Sequence, residues 1–114
     1  MQDCIFCKLV QKEIPGKVVY EDDQVLAFHD TNPVAPVHVL IIPKKHISTH
    51  FDIAAEDADL IGHLHLVASQ IAKQLDLTAK GFRLVSNCKE DGGQTVFHLH
   101  FHLVGGRQFK WPPG

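Results

Sequence analysis

Three histidines occupy alternate positions of one short apolar stretch, "HLHFHLV", which holds His98, His100 and His102. Imidazole can serve as a nucleophile, a proton donor or a metal ligand near neutral pH. In a β-strand, alternate side chains project from one face about 6.6–6.8 Å apart. A strand here would therefore place the three rings on one face, toward a cleft or solvent. The opposite, core face would carry the intervening apolar residues Phe97, Leu99, Phe101 and Leu103.

Three explanations of this row stay open on the residues alone: a polar strand face, a metal-binding pair, or imidazoles lined up along an anionic substrate. One zinc ion cannot easily take all three histidines, because zinc–nitrogen bonds are about 2.0–2.1 Å long. The outer two residues of such a strand start about 13 Å apart. Two neighbouring histidines could still share a metal.

The residues before the histidines favour an anionic substrate. Gly92 and Gly93 permit unusual backbone angles, and a glycine-rich turn can direct N–H groups at a phosphate. Gln94 and Thr95 add side-chain donors beside the histidines. A tight loop between two strands is the alternative, and it would explain the glycines taken alone.

The periodicity of the apolar residues predicts the elements that position this site. Apolar residues recur at three and four in a short first segment and in a long middle segment, which predicts two helices. Five β-rich runs separated by turn residues predict strands, the first two as a hairpin. The order of helix, three strands, helix and two strands indicates an α+β fold, with helices packed on an antiparallel sheet. The predicted ranges are 4–13 and 53–75 for the helices, and 17–22, 24–30, 37–44, 81–88 and 96–106 for the strands.

Length and composition restrict the class of protein. The 114 residues predict a single domain, residues 1–114, and 45% apolar residues suffice for a core. A formal net charge of −2 with no basic block argues against a nucleic-acid partner. The apolar runs are too short to span a membrane, and the first residues lack the pattern of a signal peptide. Three cysteines, an odd number, argue against a disulfide framework. We therefore expect a soluble, cytoplasmic protein.

The segment "HLHFHLV" resembles the alternating histidine signature of the histidine triad (HIT) superfamily. The stretch "EIPGKVVYEDDQVLAFHDTNPVAPVHVLIIPKKHI" resembles the N-terminal half of that family, so the likeness covers essentially the whole chain. The ending "GGQTVFHLHFHLVGGRQFKWPPG" is similar to the Hint branch, the purine nucleoside phosphoramidases. The resemblance implies a HIT-like fold with a five-stranded antiparallel sheet, one long helix and one short helix.

The resemblance also implies a reaction, the hydrolysis of the P–N bond in purine nucleoside 5′-monophosphoramidates, with no cofactor needed for catalysis. The middle histidine, His100, would attack phosphorus and form a covalent nucleotidyl-histidine that water then resolves. His98 and His102 would support the site, and His102 would donate to a phosphoryl oxygen. His38 would hydrogen-bond toward His100 and fix its tautomer. A nucleotide-binding module with incidental turnover is the alternative function.

The resemblance assigns the remaining pocket residues by position. Asp30 would hold the ribose hydroxyls, although a turn residue is the plain reading of "HDTNP". Phe28 and Val19 would form the slot for the purine, and core packing is the alternative role of Phe28. The other assigned residues lie on the phosphate and leaving-group side. They are Asn87 and Gly93 at the phosphate, Thr95 near the leaving amine, and Trp111 reaching the neighbouring subunit's site.

Cys4 and Cys7 lie three residues apart, so on a helix both thiols share a face. Two small buried residues would explain the pair, as would two ligands of a zinc ion. The pair opens the chain instead of following a strand, which argues against a thioredoxin-like redox motif. Some branches of the resembled family bind structural zinc at these positions, with two histidines that correspond here to His46 and His98.

The resemblance finally implies a two-fold homodimer with the long helix and the fifth strand at the interface, so that the two sheets run together. Its partners would be a purine nucleoside monophosphate or phosphoramidate and a second copy of the chain. His63 and His65 flank the apolar stripe of the long helix, and we interpret them as boundary residues. No role follows for His29 or His50.

Overall fold

The structure, a computed structural model, describes residues 3–114. It is an α+β fold with helices packed on one antiparallel sheet of five strands, as predicted, and the helices lie on both faces of the sheet. The strand order is β1-β2-β3-β5-β4. The helices are α1 (Ile5–Val10), α2 (Ala58–Gln74) and α3 (Lys89–Gly92). The strands are β1 (Val18–Glu21), β2 (Val25–His29), β3 (Val37–Pro43), β4 (Phe82–Val85) and β5 (Phe101–Gly105).

The apolar runs of β2 and β3 are buried on both faces of the sheet, which explains why neither run alternates with polar residues. Val25 and Ala27 face the core under α2, whereas Leu26 and Phe28 face a smaller core. Phe6 of α1 belongs to that smaller core. The sheet therefore separates two layers, and the short helix α1 covers the layer that also contains the histidine cluster.

The long helix begins at Ala58 and not at Ile53. Two short 3-10 turns, His50–Asp52 and Ala55–Asp57, precede it. The first is closed by a capping box in which Thr49 and Asp52 exchange side-chain and backbone hydrogen bonds. Side-chain to backbone bonds of this kind compete with helix formation and delay its start. The apolar stripe is as predicted, and Leu66, which lies off the stripe, is 64% exposed.

The prediction of one long strand through all three histidines is wrong. β5 begins at Phe101, so His102 is the one triad member that lies in a strand. The Leu99 N–H donates to the Ile47 carbonyl at 2.6 Å, which ties the preceding segment to the β3–α2 connection. Phe97 is 48% exposed and does not belong to the core, whereas Leu99 is buried as predicted.

Two smaller boundary differences surround this segment. β4 ends at Val85, three residues before the predicted end at Cys88. Residues 89–95, between the last two predicted strands, contain the short helix α3, which is capped by Gly93 in the left-handed conformation with φ +81°. Glycine adopts this backbone conformation without strain, so Gly93 allows the helix to stop there.

β5 lies between β3 and β4, so both of its edges are already paired. A sheet that continues into a second copy would have to use the edge strand β4 or β1, and not the fifth strand as expected. Beyond β5 the C-terminal residues lie against β4, where Arg83 Nη2 donates to the Lys110 carbonyl at 3.0 Å. Trp111 is 82% exposed. Within residues 3–114, no helix combines the length and the hydropathy required to span a bilayer.

Candidate active site and metal centre

His100 is held as a neutral imidazole with its Nε2 lone pair available. Its Nδ1 lies 2.6 Å from the His98 carbonyl oxygen. A carbonyl can only accept a hydrogen bond, so Nδ1 carries the proton and Nε2 does not. Burial lowers the pKa of His100, which keeps the ring neutral. A neutral ring with a fixed tautomer has the form that a nucleophilic histidine requires.

The backbone around His100 is fixed by residues from elsewhere in the chain. Ser86 Oγ donates to the His100 carbonyl at 2.9 Å. The ring of Phe6 packs edge-on against the His100 ring, with ring centres 5.1 Å apart. Sequence reasoning missed Ser86, and it treated Phe6 only as part of a helical apolar pattern. No spacing signal in the sequence connects either residue to His100.

His102 has the opposite tautomer because of its partner His38. The Val34 N–H donates to His38 Nδ1 at 3.1 Å, so the proton of neutral His38 is on Nε2. His38 Nε2 lies 2.9 Å from His102 Nδ1, to which it donates. His102 therefore carries its own proton on Nε2. The expectation that His38 contacts His100 is wrong, since its partners are His102 and, at 3.3 Å, Asp30 Oδ2.

His98 is fully buried, and its Nδ1 lies beside Cys4, Cys7 and His46. Its Nε2 donates to the Pro43 carbonyl at 2.8 Å, which leaves the Nδ1 lone pair free. Burial lowers the pKa of His98 to about 4 and also lowers that of His102 to about 4. The three histidines are thus neutral at pH 7 and buried or half-buried, not facing an open cleft as the strand pattern suggested.

The free nitrogen of His98 faces a cluster of four metal-ligating groups, Cys4, Cys7, His46 and His98, whose ligand atoms all lie within 4.8 Å of one another. His98 Nδ1 is 3.2 Å from His46 Nδ1 and 3.3 Å from Cys4 Sγ. Cys7 Sγ is 3.3 Å from His46 Nδ1 and 3.6 Å from His98 Nδ1. Tetrahedral zinc with bonds of about 2.0–2.1 Å to nitrogen and about 2.3 Å to sulfur places ligand atoms about 3.4–3.8 Å apart. The cluster fits a structural zinc ion.

The surroundings of the cluster also fit a metal. His46 Nε2 lies 3.2 Å from Ser48 Oγ, so both histidines have their outer nitrogen engaged and their Nδ1 directed inward. The Cys7 N–H donates to Cys4 Sγ at 3.3 Å. Burial and a hydrogen bond with Cys4 raise the pKa of Cys7 to about 11. A cation would be needed to hold that sulfur as a thiolate at neutral pH.

A second group, Asp30, His38 and His102, is equally compact but has different chemistry. His38 Nδ1 accepts from a backbone N–H and therefore holds a lone pair. Neutral His38 must then keep its proton on Nε2, the nitrogen that faces the group. This nitrogen donates instead of binding a cation, so the group is a hydrogen-bond chain and not a metal site.

An apolar cavity of about 450 Å³ opens on the α1 side of the sheet. Phe28 lines it, and Phe28 also packs in the smaller core, so both predicted roles are compatible with its position. Val19 does not line the cavity, because it packs on the core under α2. The residue at the cavity is its neighbour Val18, since adjacent residues of a strand point to opposite faces. The remaining lining residues are Leu9, Lys12, Glu13, Ile14, Pro15, Gly16 and Leu26.

Asp30 takes part in the turn and in the site. Its Oδ1 accepts from the Asn32 N–H at 2.8 Å, as the turn reading predicted. Its Oδ2 faces His38. Asn87 is half-buried and lies beside Gly92, while Gly93 ends α3.

Thr95 is exposed and lines an open groove of about 800 Å³ together with Cys4 and His46. Gln94, expected to donate into the site, is buried. Its amide group donates to the carbonyls of Ser48 and Val96 and accepts from the Lys89 N–H. Its role is to connect two loops.

Within residues 3–114, the remaining histidines form no hydrogen bond with the three triad rings, and one of them, His63, binds a carboxylate elsewhere in the fold. His63 Nε2 lies 2.6 Å from Asp22 Oδ2, so His63 connects α2 to the β1–β2 turn. His65 is exposed and packs on Phe101, as a boundary residue would. His29 is exposed and half-buried His50 has no hydrogen bond at Nδ1 among the described residues.

Comparison with known proteins identifies relatives over almost the whole chain. The HIT domain profile matches residues 11–109. A 14 kDa zinc-binding protein from Brassica juncea is 49% identical over 114 residues, covering 98% of this chain and all of the relative. A HIT family hydrolase from Legionella pneumophila superposes with a TM-score of 0.96 at 50% identity, covering 98% of this chain and 100% of that one. A histidine triad nucleotide-binding protein from Candida albicans gives a TM-score of 0.84 at 32% identity, covering 96% and 83%.

Proposed function

Since the chain belongs to the HIT domain family, whose solved members of similar structure include a hydrolase, we propose that it hydrolyses purine nucleoside 5′-monophosphoramidates through His100. The observation that carries this proposal is the tautomer of His100. Its Nδ1–H is bound to the His98 carbonyl, so the unprotonated Nε2 is the atom available to attack phosphorus. The same contact would stabilise the positive charge that the ring acquires when the bond to phosphorus forms.

His100 and His102 divide the chemistry between them in this proposal. His100 Nε2 attacks the α-phosphorus, and the P–N bond breaks as the leaving nitrogen takes a proton from solvent and departs as the amine. His102, whose ring centre is 5.1 Å from that of His100, carries a proton on Nε2 and donates to a phosphoryl oxygen. Water then attacks phosphorus and gives a proton to solvent, the bond to phosphorus breaks with its electron pair returning to His100 Nε2, and a nucleoside monophosphate is released. His38 does not touch the substrate in this scheme and acts by fixing the tautomer of His102.

The apolar cavity beside Phe28 supports a purine as the base. Its volume of about 450 Å³ and its aliphatic and aromatic lining suit a flat heterocycle. Asp30 would accept hydrogen bonds from the ribose hydroxyls, with Asn87 and Gly93 at the phosphate and Thr95 near the leaving amine. Val18 replaces Val19 as the valine proposed to contact the base.

We assign the zinc a structural role. Cys4, Cys7, His46 and His98 would hold it, and His98 would thereby be fixed while its carbonyl binds His100. The ion would supply a rigid connection between α1 and the segment before β5. The phosphoryl-transfer steps need only the protein's own histidines.

The proposed placement within the family is the Hint branch, on the motifs "GGRQ" and "WPPG". We further propose one domain over residues 1–114 and a two-fold dimer in which Trp111 of one subunit reaches the leaving-group side of the other. The 82% exposure of Trp111 in the single chain supports a contact outside it.

The proposal is tested by incubating the purified protein with an adenosine 5′-phosphoramidate of a fluorescent amine and following release of the amine. Quenching without acid, followed by mass spectrometry, should detect a nucleotidyl group on His100. Binding of AMP without turnover or adduct would favour the alternative, a nucleotide-binding module. Transfer of the nucleotide to added phosphate, faster than to water, would contradict hydrolysis as the reaction.

A further inference from the structure

The two cysteines of the metal cluster differ in their access to solvent. Cys7 is 7% exposed and lies on the buried face of α1. Cys4 is partly exposed and lines the open groove of about 800 Å³, which Cys7 does not reach. A purely structural site needs no accessible sulfur, and the groove admits a molecule far larger than a small oxidant. Reactive thiolates are those that combine access with stabilising neighbours.

Cys4 and Cys7 are also close enough to react with each other. The ligand atoms of the cluster all lie within 4.8 Å of one another, so the two sulfurs are near neighbours. Residues three apart on a helix have Cβ atoms about 5–6 Å apart, whereas a disulfide needs about 3.5–4.5 Å. Cys4 has extended backbone angles, φ −83° and ψ 112°, and precedes the first helical residue. It is the residue that can move to close the bond.

We propose that Cys4 and Cys7 form a site of reversible oxidation by hydrogen peroxide, and that their disulfide releases the metal and loosens α1 over His98 and His100. This inference requires that the cluster bind zinc and does not require the phosphoramidase activity. Cys4 is the attacking sulfur because it lines the groove, and buried Cys7 is the resolving sulfur.

The chemistry balances with peroxide as the oxidant. The Cys4 thiolate attacks one peroxide oxygen, the O–O bond breaks, and the products are a sulfenic acid and hydroxide, which takes a proton to give water. The Cys7 thiolate then attacks the Cys4 sulfur, an S–S bond forms, and hydroxide leaves and becomes a second water. Each sulfur loses one electron overall, and the two peroxide oxygens gain two. A zinc ion held by the cluster would be released as Zn²⁺, because two of its four ligands would no longer be thiolates.

Oxidation of the cysteine pair would affect the histidines through α1. Phe6 lies one residue before Cys7, and its ring is 5.9 Å from that of His98 and 5.1 Å from that of His100. With the metal bound, α1, His46 and His98 share one centre. Loss of that centre removes the connection between α1 and the segment that fixes the His100 tautomer. Reduction and zinc would restore it.

The test uses tag-free, zinc-loaded protein treated with graded hydrogen peroxide. Zinc release is followed with a chromogenic chelator, and free thiols are counted after denaturation. We expect one zinc released for every two thiols lost, with one of the three cysteines still free. Peptide mapping should find a Cys4–Cys7 disulfide, and hydrogen exchange of the α1 amides should accelerate. A thiol reductant with added zinc should reverse all of these changes.

Cys88→Ser is the matched control, since it removes the third cysteine and should leave release unchanged. Cys4→Ser should abolish the disulfide, and Cys7→Ser should instead stop the reaction at a sulfenic acid on Cys4. The proposal is overturned if peroxide oxidises Cys88 alone, if Cys4 is oxidised while zinc is retained, or if the disulfide joins two chains. Protein that takes up no zinc on reconstitution overturns it as well.

Discussion

His38 Nε2 lies 2.9 Å from His102 Nδ1, and this contact gives His102 the opposite tautomer to His100. The Val34 N–H at His38 Nδ1 determines the direction of the donation. The His98 carbonyl, which accepts from His100 Nδ1, determines the tautomer of His100. The adjacent rings of His100 and His102 therefore differ at Nε2: His100 has a lone pair there, whereas His102 has a proton.

We expect long-range ¹⁵N–¹H spectra of the histidine rings to show these tautomers directly. His100 should be protonated at Nδ1, whereas His38 and His102 should be protonated at Nε2. Burial lowers the pKa of His102 to about 4, so its neutral signals should persist to about pH 5. Exposed His65 provides the comparison within the same spectrum. A His102 ring protonated at Nδ1 would contradict the chain from Val34.

Replacing the proposed nucleophile should separate catalysis from binding. We expect His100→Ala to lower phosphoramidase turnover by at least about 10³-fold, because it removes the Nε2 lone pair that is proposed to attack phosphorus. AMP binding, measured by calorimetry, should stay detectable. His102→Ala should cost less, roughly 10²-fold, as for loss of one donor to the transition state. His65→Ala is the control, and wild-type turnover in His100→Ala would refute the mechanism.

The metal cluster predicts zinc content and a specific effect of chelation. Metal analysis of tag-free protein should give close to one zinc per chain. A chelator should lower the thermal midpoint more than it lowers activity at low temperature, because a structural ion contributes to folding. His46→Ala should reduce zinc content without removing any residue proposed to touch the substrate. Zinc-free protein from zinc-replete medium with reduced cysteines would show that Cys4 and Cys7 are not metal ligands.

The hydrogen bonds of Asp22 predict that the folded protein loses stability in acid. Burial alone would raise its pKa, but hydrogen bonds from Tyr20, His63 and two backbone N–H groups hold the pKa far below the ordinary value. A depressed carboxyl pKa stabilises the fold above the unfolded value of about 3.9, and this stabilisation is lost as the pH falls below it.

The corresponding measurement is urea unfolding between pH 7 and pH 3. Asp22→Asn should cost roughly 1–2 kcal/mol at pH 7, the usual cost of losing hydrogen bonds to a charged group, and should flatten the dependence on pH. Asp23 is exposed and serves as the matched control through Asp23→Asn. Equal slopes for the wild type and Asp22→Asn would show that Asp22 does not cause the pH dependence.

The C-terminal residues predict an effect on substrate choice. Trp111 is 82% exposed and Leu66 of α2 is 64% exposed, and the proposed dimer would cover both side chains. Deleting residues 111–114 should change the preference among leaving amines more than it changes the thermal midpoint. Sedimentation should give a dimer at micromolar concentration. A fully active monomer would rule out the arrangement.

Much of the fold could be predicted because apolar periodicity is a local property. The strands β2 and β3 and the stripe of α2 follow from residue types alone, and the structure confirms them. The predicted element boundaries were wrong where side chains or distant backbone groups form hydrogen bonds with the segment. Thr49 and Asp52 close a turn before α2, and Leu99 donates to Ile47 at the place where a strand was expected.

The sequence by itself identified the alternating histidines and the two cysteines as candidate site residues, since both are specific patterns. Only the tertiary structure decided which of these residues belong to the metal cluster and which to the proposed catalytic pair. His98 turns to the metal cluster, while His100 and His102 adopt opposite tautomers. Val18, not Val19, lines the cavity. The physical reason is that ring direction depends on backbone partners whose positions residue types do not reveal: the Pro43 carbonyl, 55 residues from His98, and the Val34 N–H, which reaches His102 through His38.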